Sequence, residues 1–352
     1  MRRIYNMEKE LINILKIKGV SDRMIDNIIN SGYIIRHWQD FKTAEGYITI
    51  SDKMYGNKGI SSSFDIDKFI QYANGHYVFE KLPKLNSHRV KNLTEINEIL
   101  NEPYRKRWIE NGWLSFRGQV KEYTFKRKIP NPVRADMDGK EISILPGAFR
   151  DKPLGFNRQD FADERNSFEL FLRELEPNNP HVYSDSYYSY DIMRAEQHYA
   201  KHTQGLDISF EISTALFFAT NKLNWNTDGT AYHSEISQGN HEGVIYSFVF
   251  RDPLVKKTEF LIKDFDLFKT YSPARILRQN CGLPLFSEYD RNIAVCDIDC
   301  VFYLDENFDY PDKLRPSYMF PDESEDLFYG KLLDLKRKYN GFGLDNVIEY
   351  KH

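Results

Sequence analysis

The sequence predicts an α+β protein in which helices flank a central mixed or antiparallel split sheet, with a small helical attachment at the N-terminus. Three observations predict this class. Apolar runs typical of buried strands occupy residues 113–116 and 243–250, and helical stripes lie between and after them. The segments that separate the strands differ widely in length, which favours α+β over the regular alternation of a doubly wound sheet.

Residues 1–85 are predicted to form the helical attachment. Apolar residues recur at helical spacing up to Gly19, and Ser21 is placed to cap a second helix that stops at Gly32. A turn-rich stretch over residues 56–63 is interpreted as a loop. The helix pair lacks a cluster of side chains suited to base edges, so we expect a packing unit or a docking element for a protein partner rather than a DNA-reading pair.

Residues 86–310 are predicted to form the main domain, which opens with a helix capped by Thr94. A further strand is expected over residues 292–304, where the two faces differ in chemistry. The clearest helices are expected over residues 191–201 and 211–222. This unit therefore contains all the strands of the predicted sheet.

Residues 311–352 are predicted to be a C-terminal helical segment that packs on the main domain. Its helix follows Pro321 and carries one apolar stripe, formed by Phe328, Leu332, Leu335 and Tyr339. A single stripe of this kind is typical of a helix that covers another surface of the same protein.

Composition and charge exclude several classes of protein. With a net charge of −4 and a pI near 6.2, the protein has no overall positive potential that would attract nucleic acid. Nucleic acid is therefore not an expected partner. The chain has no stretch of about 20 apolar residues, so we expect no membrane span. The three cysteines, Cys281, Cys296 and Cys300, lack the spacing of a disulfide framework, and no signal peptide follows Met1, which favours a cytoplasmic location.

Arg117 is the central candidate for a functional residue. It follows the predicted strand and precedes Gly118, which we expect to let the backbone turn and to leave the guanidinium room to enter a cleft. The planar fork of donors suits phosphate or carboxylate. Two interpretations stay open: Arg117 grips an anionic ligand, or it pairs with a carboxylate buried inside the fold.

Asp207 and Ser209 stand just before the helix expected at 211–222. Both residue types are preferred helix caps, so they are expected to satisfy the free N–H groups at the start of that helix. A helix start also attracts anions, and a serine there can donate to a sugar or phosphate oxygen. The capping and ligand-binding interpretations are compatible with each other.

His198 lies one helical turn from both Arg194 and His202, so the three side chains are expected to share a face. The histidine pair lacks the companion glutamate of a His-Glu-x-x-His motif, so no metal site is expected. We expect His198 beside Arg117, either as a proton shuttle or as a hydrogen-bonded core group. Gln279 is expected to reach the same cleft, but an amide is not a general base. The nearest downstream carboxylates are Glu288 and Asp290, and either is a candidate source of negative charge.

Three separated segments together resemble the FRG family, which is named for a Phe-Arg-Gly triplet. The first reads Trp-Leu-Ser-Phe-Arg-Gly-Gln over residues 113–119, and the second begins with Gln197 and His198 and ends in Ala-Leu-Phe-Phe-Ala at 215–219. The third runs from Arg275 to Gln279, followed by Gly282 and Phe286. The resemblance covers roughly residues 90–335 and departs from the family pattern at Ala200, His202, Gln204 and Ile208.

The resemblance implies two functions of different classes. Members are chiefly bacterial, and a distant similarity to ADP-ribosyltransferases implies an enzyme with NAD as its substrate, in a regulatory, toxin or defence role and without a tightly bound cofactor. The implied catalytic residues are Arg117, Ser209, Gln279 and Glu288. The implied ligand contacts are Arg117, Gln119, Gln197, His198, Asp207, Ser209 and Arg275. The alternative is a non-catalytic module that binds a nucleotide or a partner.

Overall fold

The computed structural model describes residues 2–39, 43, 45–55, 62–147, 150, 174–175, 194–201, 203, 205–250, 271, 273–283, 292–294, 297–339 and 344–351. In this part of the chain helices accompany several sheets, the largest with six strands, so the predicted α+β class is confirmed. None of the described helices is long and apolar enough to span a bilayer.

The α-helices have the following bounds: Arg2–Ile17, Asp22–Asn30, Ile66–Ala73, Leu93–Leu100, Pro103–Glu110, 194–199, Ile212–Thr220, Ala274–Gln279, Pro316–Met319 and Leu327–Lys338. The strands are β1 (Tyr33–Gln39), β2 (Gly46–Asp52), β3 (Ser63–Phe64), β4 (Ser87–Asn92), β5 (Leu114–Gln119), β6 (Thr124–Lys126), β7 (Lys140–Ile142), β8 (Ile208–Ser209), β9 (Asn221–Trp225), β10 (Ala231–Glu235), β11 (Val244–Val249), β12 (Cys281–Gly282) and β13 (Ile298–Asp309).

The six-stranded sheet is mixed and has the order β12-β8-β5-β11-β13-β4. All neighbours are antiparallel except β13 and β4, which are parallel. The predicted apolar strand at 243–250 corresponds to β11, which lies inside the sheet and is buried along its whole length. Both of its faces are covered, which explains why its sequence shows no polar alternation.

The helix Ile212–Thr220, termed here the cleft helix, packs on the sheet at unusually short range. A Cβ added to Gly118 would stand 1.7 Å from the carbonyl oxygen of Ala215, and one added to Gly243 would stand 2.6 Å from that of Ala219. The expectation that Gly118 lets the backbone turn is therefore wrong, because β5 continues through Gln119. The glycine instead provides the space in which the cleft helix lies.

The N-terminal region contains the two predicted helices and also a three-stranded antiparallel sheet, β1-β2-β3, which the sequence analysis did not predict. Tyr33 and Ile35 of β1 are buried in a cluster with Leu11 and Ile28 of the two helices. Of the loop expected at 56–63, only positions 62 and 63 are among the described residues, and Ser63 begins β3.

Several boundaries differ from the predicted ones. The helix expected over residues 211–222 ends at Thr220, and residues 221 and 222 belong to β9. The helix expected to be capped by Thr94 begins at Leu93, and its cap is Asn92, whose side chain accepts from the Glu95 N–H at 3.1 Å while the Glu95 carboxylate accepts from the Lys91 N–H at 2.7 Å. This reciprocal arrangement satisfies two free donors and fixes the start. The strand expected over residues 292–304 begins only at Ile298.

Asn292, where the strand was expected to begin, bonds through its side chain. The side chain of this residue accepts from the backbone N–H groups of Ile144 and Ala294 at 3.0 Å each, and it donates to the Ile142 carbonyl at 2.6 Å. The backbone N–H groups of Asn292 and Ile293 donate to the carbonyls of Met54 and Ile144, which lie outside the six-stranded sheet. The C-terminal helix is confirmed, with Phe328, Leu332 and Leu335 all buried.

Candidate functional site

A partly open cleft of about 710 Å³ lies where β5, the cleft helix and the C-terminal segment meet. Seven of the predicted site residues line it: Arg117, Gln119, Gln197, His198, Asp207, Ser209 and Gln279. Arg275 is not among the lining residues, and Glu288 lies outside the described residues. The three motif segments thus converge on one cavity.

Strand pairing explains this convergence. Phe116 of β5 pairs with Ser209 of β8, and Ser209 pairs in turn with Cys281 of β12. Because these strands are adjacent in the sheet, residues near 117, 207 and 279 come together although they are far apart in sequence. The helix over residues 194–199 then places Gln197 and His198 beside them.

Arg117 is held by Asp207. Its Nη1 donates to Oδ1 of Asp207 at 2.8 Å and to the carbonyl of the same residue at 2.6 Å. Nε of Arg117 is buried without a described hydrogen-bond partner. The ion-pair interpretation is therefore confirmed, and because Arg117 also lines the cleft, the ligand-binding interpretation stays a prediction. Asp207 binds this guanidinium rather than capping the following helix.

A short chain of hydrogen bonds supports the Asp207 carboxylate from the other side. Gln197 Nε2 donates to Oδ1 of Asp207 at 3.0 Å, and Thr203 Oγ1 donates to Oε1 of Gln197. Burial acts to raise the pKa of Asp207, but Arg117, His198 and the hydrogen bonds to the carboxylate together outweigh burial, and the pKa lies below its ordinary value. The carboxylate is thus ionised and committed to its partners.

His198 and Gln279 form a second polar pair in the cleft. His198 Nδ1 lies 3.1 Å from Oε1 of Gln279, and Nε2 of that amide donates to the Met319 carbonyl at 3.0 Å. Burial is the largest cause that lowers the pKa of His198, to about 4. The imidazole is therefore neutral at physiological pH.

Ser209 has a structural set of hydrogen bonds. Its hydroxyl donates to the Gln279 carbonyl at 3.0 Å and accepts from the Glu211 N–H at 3.0 Å. The hydroxyl thus binds the N–H of Glu211, the N-cap residue of the cleft helix, and no described side chain caps the N–H groups within the helix. Both hydroxyl functions are engaged, although the residue borders the cleft.

Arg275, expected to contact a ligand, lies behind the cleft wall and is fully buried. Its Nη1 donates to the His198 carbonyl at 2.9 Å. Its guanidinium carbon lies between 4.5 and 5.3 Å from four ring centroids, those of Tyr199, Phe320, Tyr329 and Tyr350. Since Phe320 and Tyr350 line the cleft, Arg275 positions the wall instead of contacting what the cleft holds.

The charge of the cleft is strongly asymmetric among the described residues. Four cations line it, namely Arg117, Arg150, Lys201 and Lys222, against the single carboxylate of Asp207. Lys201 and Lys222 are exposed and were missed by the sequence analysis. Lys201 lies inside the second motif segment and Lys222 lies three residues after its end, and these positions were the available signal.

An exposed aromatic ring stands beside these cations. Trp225 on β9 is 48 % exposed, lines the cleft, and has Lys201 Nζ 5.8 Å from its ring centroid. Asn221, Leu223 and Trp225 alternate along β9 and all border the cavity. An exposed tryptophan of this kind provides a flat face on which another ring can stack.

Thiol and metal chemistry find no support in the described part of the chain. Cys281 and Cys300 are buried, and burial raises the thiol pKa of both, that of Cys300 to about 12. No group of three or more His, Cys, Asp or Glu side chains among these residues could hold a metal ion.

Comparison with known proteins gives no assignment. The chain matches no protein-family model, no curated protein and no solved structure.

Proposed function

We propose that the protein binds a nucleotide-type ligand of the ADP-ribose and NAD class in this cleft. The observation that carries the proposal is the pairing of four cations with one exposed indole in a cavity whose single described carboxylate is already committed to Arg117. Such a ligand combines negative phosphates with flat rings. The cations suit the phosphates and Trp225 suits a ring.

The separation between Lys201 and Trp225 supports a ligand that carries both groups close together. The Lys201 ammonium lies over the Trp225 ring at 5.8 Å from its centroid, so a positive charge and a flat ring are next to each other in the cleft. This arrangement suits a ligand that carries a phosphate close to a ring. The resemblance of the three motif segments to the FRG family adds to the proposal, because these segments supply most of the polar residues of the cleft.

ADP-ribosyl transfer is the second candidate function, favoured by the presence of Arg117, Ser209 and Gln279 in one cavity. An oxocarbenium-like transition state needs a nearby negative charge. Gln279 is a neutral amide engaged with His198 and Met319, and Ser209 is engaged with backbone groups. Glu288 is the carboxylate that the resemblance implies for this role, and loss of nicotinamide release from NAD in a Glu288→Gln variant tests this.

Calorimetric titration with ADP-ribose and with NAD tests the binding proposal. We expect binding by the wild-type chain and roughly tenfold weaker binding by Lys222→Glu, because the reversed charge opposes the phosphates. Lys106→Glu makes the same charge change on an exposed helical position outside the cleft and serves as the control. The proposal would be overturned if the wild-type chain bound neither ADP-ribose nor NAD, or if Lys222→Glu and Lys106→Glu lost the same amount of binding affinity.

A further inference from the structure

The amide of Gln279 has only one favourable orientation. Nε2 donates to the Met319 carbonyl, and turning the amide over would place Oε1 against that carbonyl oxygen, so that two acceptors would meet. The backbone of Gln279 is fixed as well, because its carbonyl accepts from Ser209 Oγ at 3.0 Å and from Cys281 Sγ at 3.2 Å. Oε1 of Gln279 therefore always faces His198.

This orientation determines the tautomer of His198. Since Gln279 Oε1 can only accept, Nδ1 of the imidazole must carry the hydrogen, and Nε2 is left with an unshared electron pair. His198 is more than nine-tenths buried, and its Nε2 has no described hydrogen-bond partner. The Nε2 atom nevertheless keeps some contact with solvent. His198 also borders the cleft. Nε2 is thus an unpaired acceptor at the cavity surface.

We propose that His198 Nε2 accepts a hydrogen bond from a hydroxyl of the ligand, of the kind a ribose carries. This assignment rests on the proposed function and adds a specificity element to it. The cations recognise phosphate oxygens, which only accept, whereas an unprotonated imidazole nitrogen recognises a group that donates. Gln279 is the positioning residue, because it fixes which nitrogen is free. A neutral imidazole at physiological pH agrees with this role.

The variant His198→Asn separates the two sides of the ring. An asparagine amide can still donate to Gln279 Oε1 from a position near that of Nδ1, but it has no group in the place of Nε2. We expect His198→Asn to bind ADP-ribose about tenfold more weakly than the wild-type chain, as for one lost hydrogen bond. Binding of inorganic pyrophosphate, which offers no ribose hydroxyl, should stay unchanged, while Lys222→Glu weakens both probes.

The tautomer can be measured without any ligand. Long-range proton–nitrogen NMR spectra of the wild-type chain at pH 7 should show that His198 is protonated at Nδ1 and unprotonated at Nε2. A proton on Nε2 overturns the assignment whatever the chain binds. Equal weakening of both probes by His198→Asn, or unchanged binding of ADP-ribose by this variant, also overturns the assignment and leaves the proposed function standing. Wild-type binding of pyrophosphate without ADP-ribose or NAD overturns the proposed function as well. Binding of neither probe overturns the proposed function, and the hydroxyl assignment falls with it.

Discussion

The backbone of Gly118 lies against the carbonyl of Ala215 with no room for a side chain, since a Cβ at position 118 would stand 1.7 Å from that oxygen. The contact joins β5, which carries Arg117, to the helix that follows Ser209. Two sides of the cleft are therefore connected by main-chain packing. The identity of residue 118 is set by this packing rather than by the chemistry of the cleft.

Gly118→Ala is expected to destabilise the protein by about 3 kcal/mol or more, because backbone on both sides must move to admit the methyl group. Urea denaturation measures the loss. Gly46→Ala is the matched control, since its Cβ would meet nothing closer than 3.8 Å in another strand. If Gly118→Ala lowered the free energy of unfolding no more than Gly46→Ala does, the cleft helix would not lie on β5 at this distance.

The second prediction concerns the contribution of the ion pair between Arg117 and Asp207 to stability. Arg117→Ala should lower the free energy of unfolding by about 3 kcal/mol, because it leaves a largely buried carboxylate without its partner. The double variant Arg117→Ala with Asp207→Ala should lose clearly less than the sum of the two single losses, since it leaves no unpaired charge. Chemical denaturation of the four proteins gives the coupling, and strict additivity would contradict it.

Much of this site could be predicted from the sequence. The motif segments indicated a common cleft for residues such as Arg117, His198 and Gln279, and the structure brings them together. The role of Arg275 could not be predicted, because it depends on rings more than 40 residues further along the chain that meet only in the folded state. Such contacts leave no local periodicity.

The N-terminal sheet was missed for a different reason. A two-residue Asn-Gly or Asp-Gly turn between two alternating runs is the strongest short-range signal for a hairpin, and no such turn separates Gln39 from Gly46. Helix Arg2–Ile17 shows its apolar spacing along one continuous stretch and was found. β3 has only two residues, Ser63 and Phe64, which is too short for any alternation to be seen.

The pKa of His198 makes stability depend on pH. Burial lowers this pKa to about 4, Arg275 and Arg194 act in the same direction, and Asp207 and the Gln279 hydrogen bond oppose them. The unfolded chain binds a proton at this imidazole near pH 6.5 and the folded protein does not, so stability falls as the pH falls from about 6.5 toward 4. We expect a loss of about 2 kcal/mol between pH 7 and pH 5 from this group.

Urea denaturation at pH 7 and pH 5 checks that loss. His198→Asn has no titrating group at this position and should lose about 2 kcal/mol less than the wild-type chain between the two pH values. The other carboxylates and histidines are present in both proteins. Their contributions to the pH dependence of stability therefore cancel when the variant is compared with the wild-type chain. Identical pH dependence of the two proteins would contradict the lowered pKa.

A fourth prediction concerns the buried charges that join the N-terminal region to the rest of the chain. Arg127, on the segment that follows β6, binds Asp52 of β2 and Glu141 of β7, and all three side chains are almost completely shielded from solvent. Tyr55 donates to Glu141 at 2.7 Å and Asn131 donates to Asp52 at 2.7 Å. One guanidinium thus balances two carboxylates from separate elements.

Arg127→Ala is expected to lower the free energy of unfolding by about 3–5 kcal/mol, because two carboxylates would remain buried without their cation. Lys126→Ala, at the exposed neighbouring position, is the control and should change stability by less than about 0.5 kcal/mol. We also expect one cooperative denaturation transition for the wild-type chain, since this network makes the N-terminal region part of the folded unit. Separate unfolding of the N-terminal region, with the remaining transition unaffected by Arg127→Ala, would contradict that coupling.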